Sequence, residues 1–210
     1  MFNLLKALEL TLNHGVDQLT GEKTGFDLGD LTTYKTFEEL EEAYAKQIDH
    51  FSDRMVTCIT QVEKMHELLL PTPFLSAVID DCLTRGMDVT QGGARYNFAG
   101  VQAIQIANVA DSLAAIKLLV YDEKKLSAQE LLHALQTNFE DAPLVRTMLL
   151  NKVPKYGNDV PWVDELGAKW VNYFADGLRK YRNGRGGIYQ MGLYTVSAHV
   201  PMGQNVAASA

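Results

Sequence analysis

Three stretches of the sequence hold residue types and spacings that could do chemistry. The first is the run GGARYNFAG at 92–100, where a glycine pair lets the backbone turn sharply or approach a ligand closely. The run lacks the GxGxxG spacing of dinucleotide sites and the Lys-Ser/Thr pair of phosphate loops. A structural turn and a loop that lines a binding site therefore both remain open.

The second stretch is a set of polar side chains near the start of an otherwise apolar helical segment, at 105–112. Polar groups on a buried helix must be hydrogen-bonded, because each unpaired group costs about 1–3 kcal/mol. We therefore expect Asn108, Asp111 and Ser112 to tie down the preceding loop. This pattern favours structural tethering over catalysis.

The third stretch, LYTVSAHV at 193–200, has the alternation of a β-strand. Alternate side chains of a strand share a face, so Ser197 and His199 are expected on one face and Tyr194 on the other. A Ser-His hydrolase is disfavoured, because no GxSxG elbow is present and residues two apart on a strand do not readily form a nucleophile–base contact. Such a hydrolase would work in air without an activating enzyme.

Helices must position most of these residues. Apolar periodicity, capping residues and Gly or Pro stops predict helices at 2–14, 36–70, 74–85, 102–120, 127–138, 144–151 and 161–182. Thr36 and Glu39 form a capping box at the start of the longest helix. Ser127 and Glu130 form a second one. The run RNGRGG at 182–187 predicts a turn.

Apolar residues recur every three or four positions along the longest predicted helix. This stripe predicts that one face is buried along the whole helix, by core packing and without a cofactor. Its members are Leu40, Tyr44, Ile48, Phe51, Met55, Ile59, Val62 and Met65.

The composition excludes several classes of protein. Nineteen basic against 26 acidic residues give a net charge of −7, which disfavours a broad nucleic-acid surface. No window approaches the roughly 18 uninterrupted apolar residues of a membrane span. The first residues, MFNLLKALELTLNHG, predict an amphipathic helix rather than a signal peptide.

The cysteines and histidines give no support for a metal site or a disulfide framework. Cys58 and Cys82 are the two cysteines, and such low usage fits a reducing cytoplasm. The five histidines include no HxxxH pair, and the chain has no CxxC. We therefore predict no bound metal and a cytoplasmic location.

The element pattern predicts an α/β fold that is predominantly helical. Few, short, apolar strands separated by helices suggest pieces of a parallel α/β barrel. A lone parallel strand needs neighbours for its backbone donors and acceptors, and this chain hardly supplies them. The pattern therefore indicates part of a larger domain.

Four blocks of sequence resemble the glycyl-radical enzymes of the pyruvate formate-lyase superfamily. They are PFLSAVIDDCLTRGMDVTQGGARYNFAG at 73–100, IANVADSLAAIKLLVYDEKKLS at 106–127, KYGND at 155–159 and YTVSAHVPMG at 194–203. Their order and spacing also match, and the resemblance covers nearly the whole chain. It implies a segment of a ten-stranded α/β barrel built from two antiparallel-related halves.

The resemblance implies radical chemistry at the centre of that barrel. One loop carries a cysteine that becomes a thiyl radical. A second loop carries a glycine whose backbone radical is installed by a partner activating enzyme, which uses S-adenosylmethionine and an iron–sulfur cluster. The thiyl radical takes a hydrogen atom from the substrate, and fragmentation or loss of water follows.

The chain departs from the family pattern at both radical loops. The Gly-Cys-Val-Glu-like loop of the family precedes the block resembling FNLLKALEL, and the Arg-Val-x-Gly-Tyr-like loop lies beyond the block resembling HVPMG. Neither Cys82 nor Cys58 matches the radical cysteine. We therefore expect 1–210 to be one partial domain of this type, an interior segment with no catalytic residue and no activity alone.

The blocks are more similar to the dehydratase and C–N lyase branch than to true pyruvate formate-lyases. In that branch the strand resembling YTVSAH helps to wall the pocket for a small polar substrate. The resemblance thus implies substrate-binding roles for Tyr194, Ser197, His199, Tyr96 and Asn97.

The implied partners are the activating enzyme, the remaining parts of the same enzyme and, at full length, a second copy in a homodimer. An alternative from another class is a non-catalytic helical scaffold or relic. A complementing chain that carries the two radical loops would favour the enzyme. Stable folding of the 210 residues without a partner would favour the scaffold.

Overall fold

The structure is a computed structural model that describes residues 1–194, Ser197 and Val200. None of the helices within these residues is long and apolar enough to cross a membrane. In chain order the elements are β1 Phe2–Asn3, α1 Leu4–Leu12, α2 Phe37–Leu69, α3 Pro73–Val78, α4 Cys82–Arg85, a 3₁₀ turn Val89–Gln91, β2 Ala99–Ile104, α5 Ile106–Ile116, a π-helical turn Lys117–Asp122, α6 Ala128–Gln136, α7 Pro143–Lys152, α8 Pro161–Arg179 and β3 Tyr189–Leu193.

The three strands form one sheet in the order β1-β2-β3. β1 pairs with β2 in parallel, with Phe2 opposite Ala103 and Asn3 opposite Ile104. Parallel strands normally lie inside larger sheets that are covered on both faces. The fold class is therefore the predicted one, α/β and predominantly helical, and the small sheet agrees with a segment of a larger barrel.

Two helix starts differ from the sequence prediction for one reason. The helix predicted at 2–14 begins at Leu4, and the helix predicted at 102–120 begins at Ile106. The residues before each start form the paired strands β1 and β2. Pairing between distant segments overrides the local helical pattern at both places, because β propensity depends on its neighbours.

The segment predicted as one helix at 74–85 forms two, α3 and α4. The break is at Asp81, whose φ of 74° lies in the left-handed region that interrupts a helix. The other predicted helices are confirmed. In particular, α6 has both bonds of the capping box between Ser127 and Glu130.

The chain forms two compact units. Unit 1 comprises Met1–His50, Ala103–Asn172 and the described residues from Leu193 onward, and unit 2 comprises Phe51–Gln102 and Tyr173–Gly192.

The core of unit 1 contains an aromatic pair. The ring centroids of Tyr44 and Trp170 lie 4.4 Å apart, and Tyr44 is fully buried. The Tyr44 hydroxyl donates to the Leu4 carbonyl at 3.0 Å, so the phenol is hydrogen-bonded within the apolar core. This bond joins α2 to the start of α1, next to the strand β1.

The apolar stripe of α2 is buried over only part of its length. Leu40, Tyr44 and Ile48 are buried, as predicted. Val62 and Met65 are 47% and 46% exposed, so the prediction of a buried face along the whole helix is wrong for its last third. The periodicity predicted an apolar face, but the described residues cover that part of it only in part.

Unit 2 is organised around the carboxylate of Asp88. It accepts hydrogen bonds from the Thr90 hydroxyl at 2.6 Å, the Ser76 hydroxyl at 2.7 Å and the Thr72 backbone N–H at 3.0 Å. These bonds tie the start of α3 to the 3₁₀ turn. The bond from the Thr90 hydroxyl, followed by that from Ser76, holds the pKa of Asp88 well below its ordinary value.

We predict that Asp88→Asn destabilises the protein in a pH-dependent way. A lowered pKa in the folded state stabilises above the unfolded pKa of about 3.9, and this contribution is lost as the pH falls toward the folded pKa. Urea unfolding should therefore show a large difference between Asp88→Asn and the parent at pH 7, and a smaller one at pH 3. Asp80→Asn, at an exposed carboxylate nearby, is the control. The same difference at both pH values would contradict the role of Asp88.

Candidate functional site

A cleft of about 290 Å³ opens in unit 1 where β2 passes into α5. One residue, Gln105, joins the strand to the helix, and its φ of 70° is in the left-handed region. That conformation is unfavourable for a residue with a side chain, and such strain clusters at functional sites. The cleft is lined by Ala103, Ile104, Gln105, Ile106, Ala107, Asn108, Leu193 and Tyr194.

The lining combines apolar walls with a few polar groups. Ile104 and Leu193 supply apolar surface, whereas Gln105, Asn108 and Tyr194 supply two amides and a phenol. The first N–H groups of a helix have no partner within the helix, and its N-terminus has a partial positive charge. The cleft can therefore exchange hydrogen bonds with a small molecule that carries hydroxyl or carboxyl groups.

The structure places two predicted site residues near the end of β3. Tyr194 lines the cleft and is 59% exposed. The strand β3 covers Tyr189–Leu193, so it shares only Leu193 with the strand predicted at 193–200. Ser197 is exposed, and its carbonyl accepts the Val200 N–H at 3.2 Å, which is a turn bond. The prediction of a strand through Ser197 is therefore wrong.

His199 lies outside the described residues. Two polar cleft residues, Gln105 and Asn108, were not predicted as site residues. The signal was present, since polar side chains at the start of an apolar helix were interpreted only as loop tethers. Their position at the end of a strand depends on the pairing of β1 with β2, which local patterns did not reveal.

Asp111 ties down a loop, but it is not the preceding one. Its Oδ1 accepts the Tyr156 backbone N–H at 2.7 Å, in the KYGND segment after α7. Asp164 accepts the Gly157 N–H at 2.8 Å. The Tyr156 ring packs on Gly167, where an added Cβ would lie 2.7 Å from the ring. Two carboxylates and one helical glycine thus fix the KYGND loop.

Tyr96 and Asn97 belong to unit 2. Asn97 Nδ2 donates to the carbonyls of Ala94 at 2.8 Å and Gly92 at 3.2 Å, so this amide shapes its own loop. Tyr96 is 72% exposed, and its ring stacks on Phe98 with a centroid separation of 5.9 Å. These contacts account for a structural turn. A substrate-binding role for Tyr96 or Asn97 stays a prediction.

The predicted turn at 182–187 is present and docks on that loop within unit 2. Asn183 is 5% exposed, and its side-chain oxygen accepts the N–H groups of Gly187 at 2.8 Å and Arg185 at 3.0 Å. Its Nδ2 donates to the Asn97 carbonyl. An added Cβ on Gly187 would lie 1.8 Å from the Asn97 oxygen, so only glycine fits there.

The described residues contain no group of three or more histidine, cysteine or carboxylate side chains that could hold a metal ion. Cys58 is exposed in α2 and Cys82 is buried in α4, and both are free thiols. Neither cysteine lines the cleft.

Comparison with known proteins decides the family. A family model described as pyruvate formate lyase-like matches residues 1–203. The chain belongs to the pyruvate formate lyase-like family. The resemblance to glycyl-radical enzymes of the dehydratase branch is thereby confirmed.

Individual members of the family are similar over almost the whole chain. The chain is 37% identical to a (2S)-3-sulfopropanediol dehydratase of Klebsiella oxytoca over 208 residues, which are 99% of this chain and 25% of the relative. A hydroxyproline dehydratase structure from Clostridioides difficile, with trans-4-hydroxy-L-proline bound, superposes with a TM-score of 0.95 and 35% identity over 98% of this chain and 26% of that one. A glycyl radical enzyme from Archaeoglobus fulgidus has a TM-score of 0.91 and 34% identity, with 99% and 26% covered. The chain thus spans about a quarter of the length of the relatives it matches.

We predict that Gly187→Ala destabilises unit 2, because the new methyl group would collide with the Asn97 carbonyl. Forced overpacking of this kind typically costs about 1–3 kcal/mol. Gly100→Ala is the matched control, since an added Cβ on Gly100 meets no atom within 4 Å. Urea unfolding measures both variants, and equal effects would contradict the docking of the two loops.

Proposed function

We propose that the chain is a segment of a glycyl-radical dehydratase or lyase that acts on a small polar metabolite. We further propose that the cleft at the β2–α5 junction forms part of its substrate pocket. The similarity to a dehydratase structure with its substrate bound, at a TM-score of 0.95, carries the proposal.

The proposed chemistry is hydrogen abstraction by a thiyl radical. The thiyl sulfur takes a hydrogen atom from a substrate C–H bond and becomes a thiol. The carbon radical then loses a neighbouring hydroxyl group, together with a proton, as water. The thiol returns its hydrogen atom to the product radical, so the thiyl radical is regenerated and the atoms balance.

In this proposal the chain forms part of the pocket wall and does not carry the residues that hold the radical. Neither a Gly-Cys-Val-Glu nor an Arg-Val-x-Gly-Tyr sequence occurs in the 210 residues. We therefore propose that it is inactive alone and acts with the remaining parts of the enzyme. The activating enzyme that installs the glycyl radical, a homodimer at full length and a cytoplasmic location belong to the same proposal.

The cleft supplies the groups that a small polyhydroxyl or hydroxyacid substrate requires. The amides of Gln105 and Asn108 and the phenol of Tyr194 can orient substrate hydroxyl or carboxyl groups. Ile104 and Leu193 offer apolar surface that excludes water from a reactive radical. Ser197, His199, Tyr96 and Asn97 are retained as further candidates for contact with the substrate.

The function can be tested in a chimera in which residues 1–210 replace the matching segment of the C. difficile hydroxyproline dehydratase. After anaerobic activation, we expect a glycyl radical by electron paramagnetic resonance and dehydration of at least one small polar alcohol. The control is the 210-residue chain alone, for which no turnover is expected. A folded chimera that forms the radical but consumes no substrate would favour a scaffold or relic. Turnover by the chain alone in air would favour a hydrolase.

We predict that Gln105→Gly in this chimera weakens substrate use without loss of stability. Glycine adopts a positive φ readily, so the change removes the amide while relieving the backbone. Loss of one hydrogen bond to substrate should lower kcat/KM by about 3- to 10-fold. Gln129→Ala, at an exposed glutamine of α6, should leave kcat/KM unchanged. An unchanged kcat/KM for Gln105→Gly would remove Gln105 from the site.

A further inference from the structure

The last turns of α2 carry an apolar face that the described residues cover only in part. Val62, Met65 and Leu69 recur at i, i+3 and i+7, which places them on one side of the helix. They are 47%, 46% and 70% exposed. The same helix buries Tyr44 and Ile48 completely or almost completely. The stripe is therefore buried near the start of α2 and exposed near its end.

Helix α3, also in unit 2, exposes further apolar side chains. Phe74 and Val78 lie one turn apart on α3 and are 87% and 69% exposed. Leu69 and Phe74 are five positions apart in the chain, so their Cα atoms lie at most about 18 Å apart. We call Val62, Met65, Leu69, Phe74 and Val78 the α2–α3 apolar face.

Such a face is unusual on a finished protein surface. Soluble monomers rarely expose contiguous apolar patches larger than a few hundred Å², and larger patches mark interfaces. A Phe that is 87% exposed, together with exposed aliphatic side chains on the same two helices, has the composition of a core rather than of a rim. The face therefore fits an apolar partner surface that buries it permanently.

We propose that the α2–α3 apolar face is covered by the remaining polypeptide of the same enzyme, the part of its relatives that this chain does not match. This inference rests on the proposed function. The similar structures superpose on 98–99% of this chain but are about four times as long, since it covers 26% of their length. The partner surface is therefore available within one molecule, at high effective concentration.

The α2 residues of this face belong to a stripe whose earlier members, Tyr44 and Ile48, are buried within this chain. A helix whose first turns pack into a core of the same chain needs no second copy to explain the rest of its stripe. The expected partner surface therefore belongs to the same polypeptide. Contact with a second copy is one of the outcomes that the test can show.

The test introduces a charge at the centre of the face. Leu69→Lys is made both in the 210-residue chain and in the chimera with the hydroxyproline dehydratase. Glu67→Lys is the matched control, because Glu67 is exposed on the opposite side of the same helix turn. In the chimera, Leu69→Lys should lower the melting temperature by roughly 3 °C or more, with the oligomer mass unchanged.

A second measurement does not depend on the folding of the variant chimera. The unsubstituted 210-residue chain should bind the dye ANS, Leu69→Lys and Phe74→Lys should each weaken that binding, and Glu67→Lys should not. The unsubstituted chimera should bind little dye.

Other outcomes would overturn the proposal. A fall in oligomer mass caused by Leu69→Lys would identify the face as a contact between copies. No effect in the chimera, or strong dye binding by the intact chimera, would show a solvent-exposed face. None of these readouts requires radical formation. A stable but inactive chimera would therefore contradict the proposed function and leave the covered α2–α3 apolar face untouched.

Discussion

The parallel pairing of β1 with β2 is the interaction on which the candidate site depends. It sets Phe2 opposite Ala103 and Asn3 opposite Ile104, so that two segments about a hundred positions apart end at the same edge. One left-handed residue, Gln105, then turns the chain from the strand into α5. The cleft opens at that turn, in the place where α/β folds commonly bind ligands, outside the carboxyl ends of parallel strands.

Within each unit, polar contacts hold connecting segments in one conformation. The Tyr44 hydroxyl joins α2 to the start of α1, and Asp111 fixes the KYGND loop against α5. In unit 2, Asn183 docks one glycine-containing loop on another through the Asn97 carbonyl. Each contact pairs a side chain with a backbone group of a distant segment.

Much of the helical structure could be predicted from the sequence, because its signals are local. The capping box of Ser127 and Glu130 and the periodicity of α2 placed two helices correctly. The family could also be predicted, since four blocks occur in one order. The strands β1 and β2 could not be predicted, because pairing across the chain creates them. The left-handed residues Asp81 and Gln105 were missed for a related reason, as neither is a glycine.

The residues that line the cleft could be predicted from the sequence only in part. Tyr194 lines the cleft, and its substrate-binding role stays a prediction. Asn108 also lines the cleft, although its position on an apolar helix predicts only a tether. Burial along α2 was predicted too far, since periodicity shows which face is apolar but not what covers it. Both errors have one cause, because a local sequence pattern does not show which distant segments pack against a residue.

A crystal structure of the hydroxyproline dehydratase chimera with a turned-over substrate bound tests the central claim most directly. We expect substrate density in the β2–α5 cleft, with a substrate oxygen within about 3.2 Å of the side chain of Gln105, Asn108 or Tyr194. Substrate bound elsewhere in the barrel, with this cleft filled by protein side chains, would contradict the account.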